Sequence, residues 1–265
     1  MTNWEFPVTG PITLDARLPA GDIQVNAGAT STAFVSLEPA SSGKRAQQLI
    51  DEARVTFDDG TLSIDVPERI RLLSSTSLDL VVQLPTGSIA RLRAASADIR
   101  CTGELGSLEA RTASGEITAE LVSGPVKIDT ASGDVQLGDV TGEVRVTSAS
   151  GDTDINRAGG DLTLNSASGD LRVIQADGSA KARSASGDVQ ISHITRGRAD
   201  LSTVSGDIFV AVPPGIGVYL DLFAMSGDVS SDLAADNAEG DGDAALTLHC
   251  RSISGDVHVG QVPAN

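Results

Sequence analysis

The chain has 265 residues with a formal net charge of −17 at pH 7, and only 3% of its residues are aromatic. So few aromatic side chains argue against a bulky globular core and favour thin layers of Ala, Val, Leu and Ile. The acidity repels phosphate backbones and anionic lipids, so the sequence excludes nucleic acid as a partner. It also contains no run of 18 apolar residues, which excludes membrane insertion through a helix.

Residues 1–75 are predicted to form N-terminal strands and a capping helix. The first 18 residues contain neither the basic nor the apolar segment of a secretory signal, which predicts a cytoplasmic location and leaves surface display open. Residues 21–25 (GDIQV) alternate like a strand. Residues 44–54 (KRAQQLIDEAR) consist of helix formers, and one face of that helix would carry Ala46, Leu49, Ile50 and Ala53.

From residue 76 to residue 260 a Ser-Gly-Asp tripeptide dominates the sequence. Its copies start 18 residues apart five times in succession, and then 19, 21 and 28 residues apart. A repeat this short cannot bury an apolar face by itself, so its copies are expected to stack on one another. With a degenerate first copy included, the tripeptides start at Ser96, Ser114, Ser132, Ser150, Ser168, Ser186, Ser205, Ser226 and Ser254.

Each repeat is predicted to contain two short strands. In residues 132–149 (SGDVQLGDVTGEVRVTSA), apolar and polar residues alternate on both sides of a turn at Gly142, which is typical of strands with one buried face. Stacked copies would place equivalent residues about 4.8 Å apart. Two ladders of such residues are expected to point inward, one three residues after each Ser, as at Val135, and one four residues before it, as at Val146.

The tripeptides themselves are predicted to form sharp corners. The residue before each Ser-Gly pair is apolar, as at Ala149 and Met225, and is assigned to a third inward ladder. The Gly is expected to bend the chain with a positive φ. The pattern predicts an all-β fold, a single-stranded parallel β-solenoid (β-helix) with one short helix. A right-handed turn is the favoured hand.

Residues 1–265 are expected to form a single solenoid domain in which each corner lies directly above the previous one. Residues 230–245 are acidic and rich in Gly, and are interpreted as a loop outside the solenoid. The helix at 44–54 and the last residues are the expected caps, because open solenoid ends invite self-association. Cys101 and Cys250 fall at inward positions and are expected to be core thiols.

The chain resembles the bacterial putative-adhesin family of unknown function, whose members repeat Ser-Gly-Asp corners on a β-helix. The matching segments are the corners above, residues 84–87 (LPTG) and residues 20–25 (AGDIQV). Together they cover nearly the whole chain. The resemblance implies the β-helix and an adhesin-like role, and it implies no chemistry.

The third position of the tripeptides forms a row of carboxylates. At about 5 Å, the spacing of stacked coils, two unit charges in water repel by roughly 0.8 kcal/mol, so the row needs compensation. The preferred interpretation is that each carboxylate accepts backbone N–H or hydroxyl hydrogen bonds at the corner. The alternative is a ladder of calcium sites, with the candidate ligands Asp134, Asp152, Asp170 and Asp188.

The sequence predicts no catalytic residue and no cofactor. The corner serines lack a recurrent His partner, and the three His residues are scattered. The predicted function is that of a non-enzymatic, adhesin-like or scaffold protein. Its rigid surface would contact a protein partner, or another copy through the ends or edges of the solenoid. A calcium-binding solenoid and a carbohydrate-active β-helix enzyme are the two alternatives.

Overall fold

A computed structural model of the protein describes residues 2–41, 44–67, 76–233 and 245–262. The chain forms two compact units, residues 1–136 and residues 137–265. Both are built from parallel β-solenoid coils, which confirms the predicted fold class. The described residues contain one helix, α1 (Lys44–Glu52). The single-domain organisation and the right-handed turn stay predictions.

The strands are numbered along the chain. The first unit contains β1 (Thr2–Pro7), β2 (Thr13–Gly28), β3 (Thr32–Pro39), β4 (Arg54–Asp58), β5 (Thr61–Asp65), β6 (Leu78–Pro85), β7 (Ile89–Leu105), β8 (Ser107–Ser114), β9 (Ile117–Val122) and β10 (Val126–Ser132). The boundary between the units falls within β11 (Val135–Val140). The second unit continues with β12 (Val144–Ser150), β13 (Thr153–Ala158), β14 (Leu162–Ser168), β15 (Leu171–Ala176), β16 (Ala180–Ser186), β17 (Val189–Ile191), β18 (Gly197–Ser205), β19 (Ile208–Val212), β20 (Val218–Ser226), β21 (Val229–Ser231), β22 (Leu246–Ser254) and β23 (Val257–Gln261).

The coils of the second unit consist of two strands each, as the alternation predicts. One strand of every coil precedes the Gly corner and pairs in parallel with its equivalent in the next coil, and the other strand follows the corner and does the same. Val146 thereby lies beside Leu164, and both side chains are buried. The two inward ladders are confirmed in every coil except the one that contains Leu222 and Val229, where the first is half-buried and the second exposed.

The order of coils at the end of the second unit differs from the order along the chain. β22 lies between β18 and β20, and β23 lies between β19 and β21. The expectation that every corner lies above the previous one is therefore wrong here, as is the expectation that the last residues form the cap. The reason lies in an inward position: Ser231 of β21 pairs with Val259 of β23. The coil with Ser at this position occupies the outer place, where water reaches the hydroxyl.

The predicted loop at 230–245 is also revised. Residues 229–231 form strand β21, because Val229 continues the ladder pattern beside Val257. Residues 234–244 lie outside the described residues.

The beginning of the first unit shows a similar rearrangement. β2 pairs in parallel with β7 on one side and with β5 and β6 on the other, so a later segment stacks outside an earlier one. Antiparallel strands cover this end: β3 pairs with β6, β1 with β3, and β4 with β5. Helix α1 packs against β3, with Ala46 and Ile50 buried. It ends at Glu52, two residues before the predicted end.

Candidate functional site

The corner carboxylates bind the backbone of the neighbouring coil. In each observed pair, Oδ1 of one Asp accepts a hydrogen bond from the N–H of the equivalent residue in the next coil. Such a bond to a charged group is worth about 1.5–3 kcal/mol, more than the repulsion of roughly 0.8 kcal/mol between neighbours in water. The preferred interpretation of the row is confirmed for the pairs Asp98–Glu116, Asp152–Asp170, Asp170–Asp188, Asp188–Asp207, Asp207–Asp256 and Asp256–Asp228, whose N–O distances are 2.7–2.9 Å.

The calcium candidates occupy this row. Asp152, Asp170 and Asp188 lie in successive coils of the second unit, and each uses Oδ1 as an acceptor. Asp170 also binds Arg172 through Oδ2, at 2.6 Å. Asp134, in the first unit, accepts the N–H of Ile117 with its backbone oxygen. Across the described residues, no three His, Cys, Asp or Glu side chains converge in an arrangement that could hold a metal ion.

The corner glycines are required for two reasons. Gly115, Gly169 and Gly187 have φ values of 130°, 124° and 138°, which confirms the predicted positive φ. A Cβ atom on Gly169 would also lie 2.2 Å from the backbone oxygen of Gly151 in the adjacent coil. Since a side chain would strain the corner and separate the coils, Gly sets the close spacing on which the carboxylate bonds depend.

The prediction of a third inward ladder, formed by the residue before each corner Ser, is wrong. The residue before each corner Ser is exposed throughout, from Ala113 to Ile253. Strict alternation explains this: in β12, Val146 and Ser148 point inward, so Ala149 points outward. The first five of these residues, from 113 to 185, are Ala, whose small side chain carries little penalty on the surface.

The true third ladder consists of hydroxyl groups, which the predicted ladders do not include. Thr112, Ser148 and Ser252 are buried, and their hydroxyls donate to backbone oxygens near the Gly corner at 2.8–3.1 Å. These bonds satisfy hydroxyl groups that the alternation of the strand places inside the coil. The signal was present in the sequence as a Ser or Thr two residues before every corner Ser from Ser114 to Ser254, except at Ser226, where Ala224 replaces it.

An acidic cluster lies at the covered end of the first unit. Asp22 pairs with Asp79 on one side and with Asp98 on the other, and Glu38 lies opposite Asp79. Burial, and then the charges of Asp22 and Glu38, raise the pKa of Asp79. Its Oδ1 atom is buried without a hydrogen-bond partner. A depression of about 120 Å³ beside the cluster is lined by Asp22, Asp98, Arg100 and Glu116.

Two of the three His residues join the outermost coil of the second unit to its neighbour. We call residues 218–231, which contain β20 and β21, the terminal coil. His249 on β22 contacts Asp221 on β20 (Nδ1–Oδ2 2.9 Å), and its hydrogen bond, followed by Arg251, lowers the pKa of Asp221. His258 on β23 contacts Ser230 and Asp232. Asp221 of this coil and Asp232, which follows it, are therefore paired with basic partners of the same chain.

Ser230, His258 and Asp232 form a series of polar contacts that sequence spacing did not reveal, because 28 residues separate Ser230 from His258. The Ser230 oxygen lies 2.9 Å from Nδ1, and Asp232 Oδ2 lies 3.4 Å from Nε2. Asp232 is two-thirds exposed, so this acid is hydrated and does not hold the imidazole in a dry site. We interpret the series as a link between β21 and β23.

The thiols are confirmed as core residues. Cys101 and Cys250 are both buried and unpaired, and burial raises the pKa of each to about 12. Because the thiolate is the reactive form, both are inert at neutral pH.

The chain belongs to the Toastrack DUF4097 family, whose sequence profile matches residues 12–265. A putative adhesin from Parabacteroides merdae has a similar crystal structure, with a TM-score of 0.53 at 10% identity, over 99% of this chain and 96% of that chain. A putative adhesin from Bacteroides fragilis gives a TM-score of 0.47 at 15% identity, over 98% and 96%. The likeness to the first shows a shared fold.

No curated protein sequence matches the chain. Among the described residues, the structure contains no helix with the length and apolar character needed to span a bilayer.

Proposed function

We propose that this protein is a non-enzymatic, adhesin-like scaffold that presents the outward faces of its coils to a protein partner or a second copy. The supporting observation is that outward charges pair sideways across neighbouring strands. Arg111 on β8 contacts Asp129 on β10 at 3.4 Å, and Arg172 on β15 contacts Asp154 on β13 at 3.9 Å. Catalysis needs titratable groups that converge on one point, whereas lateral pairing produces a flat, ordered face suited to another surface.

The backbone beneath these faces supports the proposal. Parallel strands in register, glycine corners in contact and carboxylate–amide bonds leave the coils little freedom to deform. The name adhesin, carried by proteins of similar structure, agrees with this role, and the cytoplasmic location stays a prediction.

Capture of a partner on immobilised protein tests the binding role. Arg157→Glu combined with Arg172→Glu reverses the charge of one face in the second unit, and Arg93→Glu is a matched exposed change in the first unit. The Arg93 and Arg157 guanidinium groups each pair with an Asp at 3.0 Å or less. We expect at least one protein from the native host to bind one of the two variants and not the other. Retention of every captured protein by both variants would contradict the proposal.

A screen on polysaccharides and esters tests the non-enzymatic role. We expect no turnover, because Ser230 and His258 lie on an open surface. Turnover by the parent that is lost in Ser230→Ala would overturn the proposal and identify the Ser230–His258–Asp232 series as a catalytic site.

A further inference from the structure

The terminal coil has open edges in both of its strands. Within the described residues, β20 pairs only with β22, and β21 pairs only with β23. The backbone N–H and C=O groups on the other side of each strand are thus available to a further strand, as at any uncovered sheet edge.

The core of this coil is also incomplete. Val218, Leu220 and Leu222 occupy the inward positions of β20 and are half-buried. Their neighbours in β22, Leu246, Leu248 and Cys250, are fully buried. The difference arises because no described strand lies above β20, so an occupant must supply both a strand edge and inward apolar side chains.

Outward apolar residues are concentrated in the same place. The position before the corner Ser is Ala in the earlier coils of the second unit, but Val204, Ile253 and Met225 in the last three coils of the stack. Met225 is 69% exposed and Phe223, two residues earlier on the same face, is 50% exposed. Adjacent exposed side chains of this size form a patch of the kind found at interaction sites.

The occupant must also tolerate the charge of the surface. The whole chain carries −17, which opposes association of two copies, but the one acidic side chain of β20, Asp221, has basic neighbours. Asp221 lies beside His249 and Arg251, and Asp232 beside His258. A second copy can therefore approach β20 with less repulsion than the net charge implies elsewhere.

We infer that the terminal coil binds the terminal coil of a second copy, with β20 antiparallel to β20 about a two-fold axis at Leu222. Directly opposed residues in antiparallel strands point to the same face. Leu220 of one copy then faces Ala224 of the other inside the joined core, while Tyr219 faces Met225 outside it. Strand β20 can itself supply the strand edge and the inward apolar side chains that an occupant needs, because its inward and outward positions are symmetric about Leu222. Two-fold contacts are also the commonest in homo-oligomers.

This inference rests on the proposed scaffold function and names its partner as a second copy. Sedimentation velocity over a range of concentrations tests it. We expect a concentration-dependent species of twice the 27.1 kDa monomer mass. Tyr219→Lys combined with Met225→Lys should abolish it, because each of these lysines would directly oppose a lysine of the other copy. Ile174→Lys is the matched control, since Ile174 is an outward Ile of β15 that is 58% exposed, and it should leave the dimer intact.

Disulfide trapping tests the register. Because Tyr219 faces Met225 of the other copy, a mixture of Tyr219→Cys and Met225→Cys proteins should cross-link under oxidation, while either variant alone should not. Cys101 and Cys250 are buried and do not interfere.

A parent protein that is monomeric at every concentration overturns the inference, including the case in which another protein or another part of the chain covers the coil. A dimer that survives the two lysines also overturns it. Both results leave the proposed function standing if partner capture and the absence of turnover are observed, so the two failures are distinguishable.

Discussion

The outer end of the first unit and the terminal coil of the second unit differ in how their last strands are covered. Where a row of parallel strands stops, it exposes unpaired backbone groups and half of a core layer. In the first unit, β3 and β4 pair with β6 and β5 in antiparallel fashion, β1 pairs with β3, and Leu78 and Leu80 of β6 are fully buried. In the second unit, Leu220 and Leu222 of β20 remain half-buried.

This difference shows that the repeat pattern specifies the interior coils of a solenoid but not how the ends of the stack are covered. Every coil offers the same backbone and the same alternation to its neighbours. The covered end uses a reversed chain direction, which stops parallel stacking, whereas the terminal coil keeps the stacking geometry intact. An end that can still accept a coil is an interaction surface, and an end that cannot is a cap.

The largest effect is expected from a corner glycine in an interior coil. Gly169→Ala would force a side chain into a φ of +124° and place Cβ 2.2 Å from the Gly151 oxygen. Strain and overpacking together should lower the free energy of unfolding by about 3–5 kcal/mol. Denaturant unfolding measures it, with Gly217→Ala near the terminal coil as control, because a Cβ there meets nothing within 4 Å. Equal stability of the two variants would contradict the role of the corners.

Paired leucines compare the interior with the open end directly. Leu248 and Leu220 lie side by side in register, the first fully buried and the second half-buried. Leu248→Ala should cost about 2–5 kcal/mol, and Leu220→Ala in dilute protein about 1–2 kcal/mol, because part of its surface is already in water. Unfolding curves at low concentration provide the measurement. A larger loss for Leu220→Ala would show that the end is covered in the monomer.

Much of this architecture could be predicted from the sequence because its signals are local. The spacing of Ser-Gly-Asp, the alternation around Val146 and the need for Gly at the corner all concern neighbouring residues. The acceptor role of the carboxylates was predicted from the chemistry of Asp at a tight corner, although the donor N–H lies in the neighbouring coil. The third ladder was misassigned because apolar character was given more weight than alternation: Ala149 is apolar, but two-residue periodicity places it outside.

The order of the coils could not be predicted, since identical patterns pair equally well with any neighbour. Only single residues such as Ser231 distinguish an outer coil from an inner one. The contacts of His249 and His258 were missed for the same reason: their partners are close only because β22 and β23 insert beside the terminal coil. The acidic cluster at Asp79 likewise arises from antiparallel pairing with β3, which leaves no repeat signal.

A smaller, pH-dependent effect should distinguish the covered end from the second unit. The folded-state pKa of Asp79 is raised by burial and by Asp22 and Glu38. The folded state therefore favours the protonated form, and stability is lost as the pH rises from the unfolded value of about 3.9 through the raised folded value. Asp79→Asn removes this loss, so its melting temperature should exceed that of the parent at pH 7 and approach it at pH 3.

Asp177 provides the control of opposite sign. A hydrogen bond from Gln175, together with Arg157, lowers its pKa, so its stabilisation is present above the unfolded pKa and disappears in acid. Asp177→Asn should melt below the parent at pH 7 and approach it as the pH falls. Parallel pH profiles for the two variants would contradict both assignments.

The smallest effect is expected from calcium. Along the corner row, Oδ1 atoms such as those of Asp152 and Asp188 already accept backbone N–H bonds, and a calcium ion needs six to eight oxygen ligands that would have to replace them. Calorimetry with millimolar calcium should give no saturable heat and no shift in melting temperature. The two regions again provide the decisive comparison. Several sites lost in Asp152→Asn and Asp170→Asn would establish the calcium ladder, whereas one site lost in Asp79→Asn would place binding at the covered end, where a buried carboxylate oxygen lacks a partner.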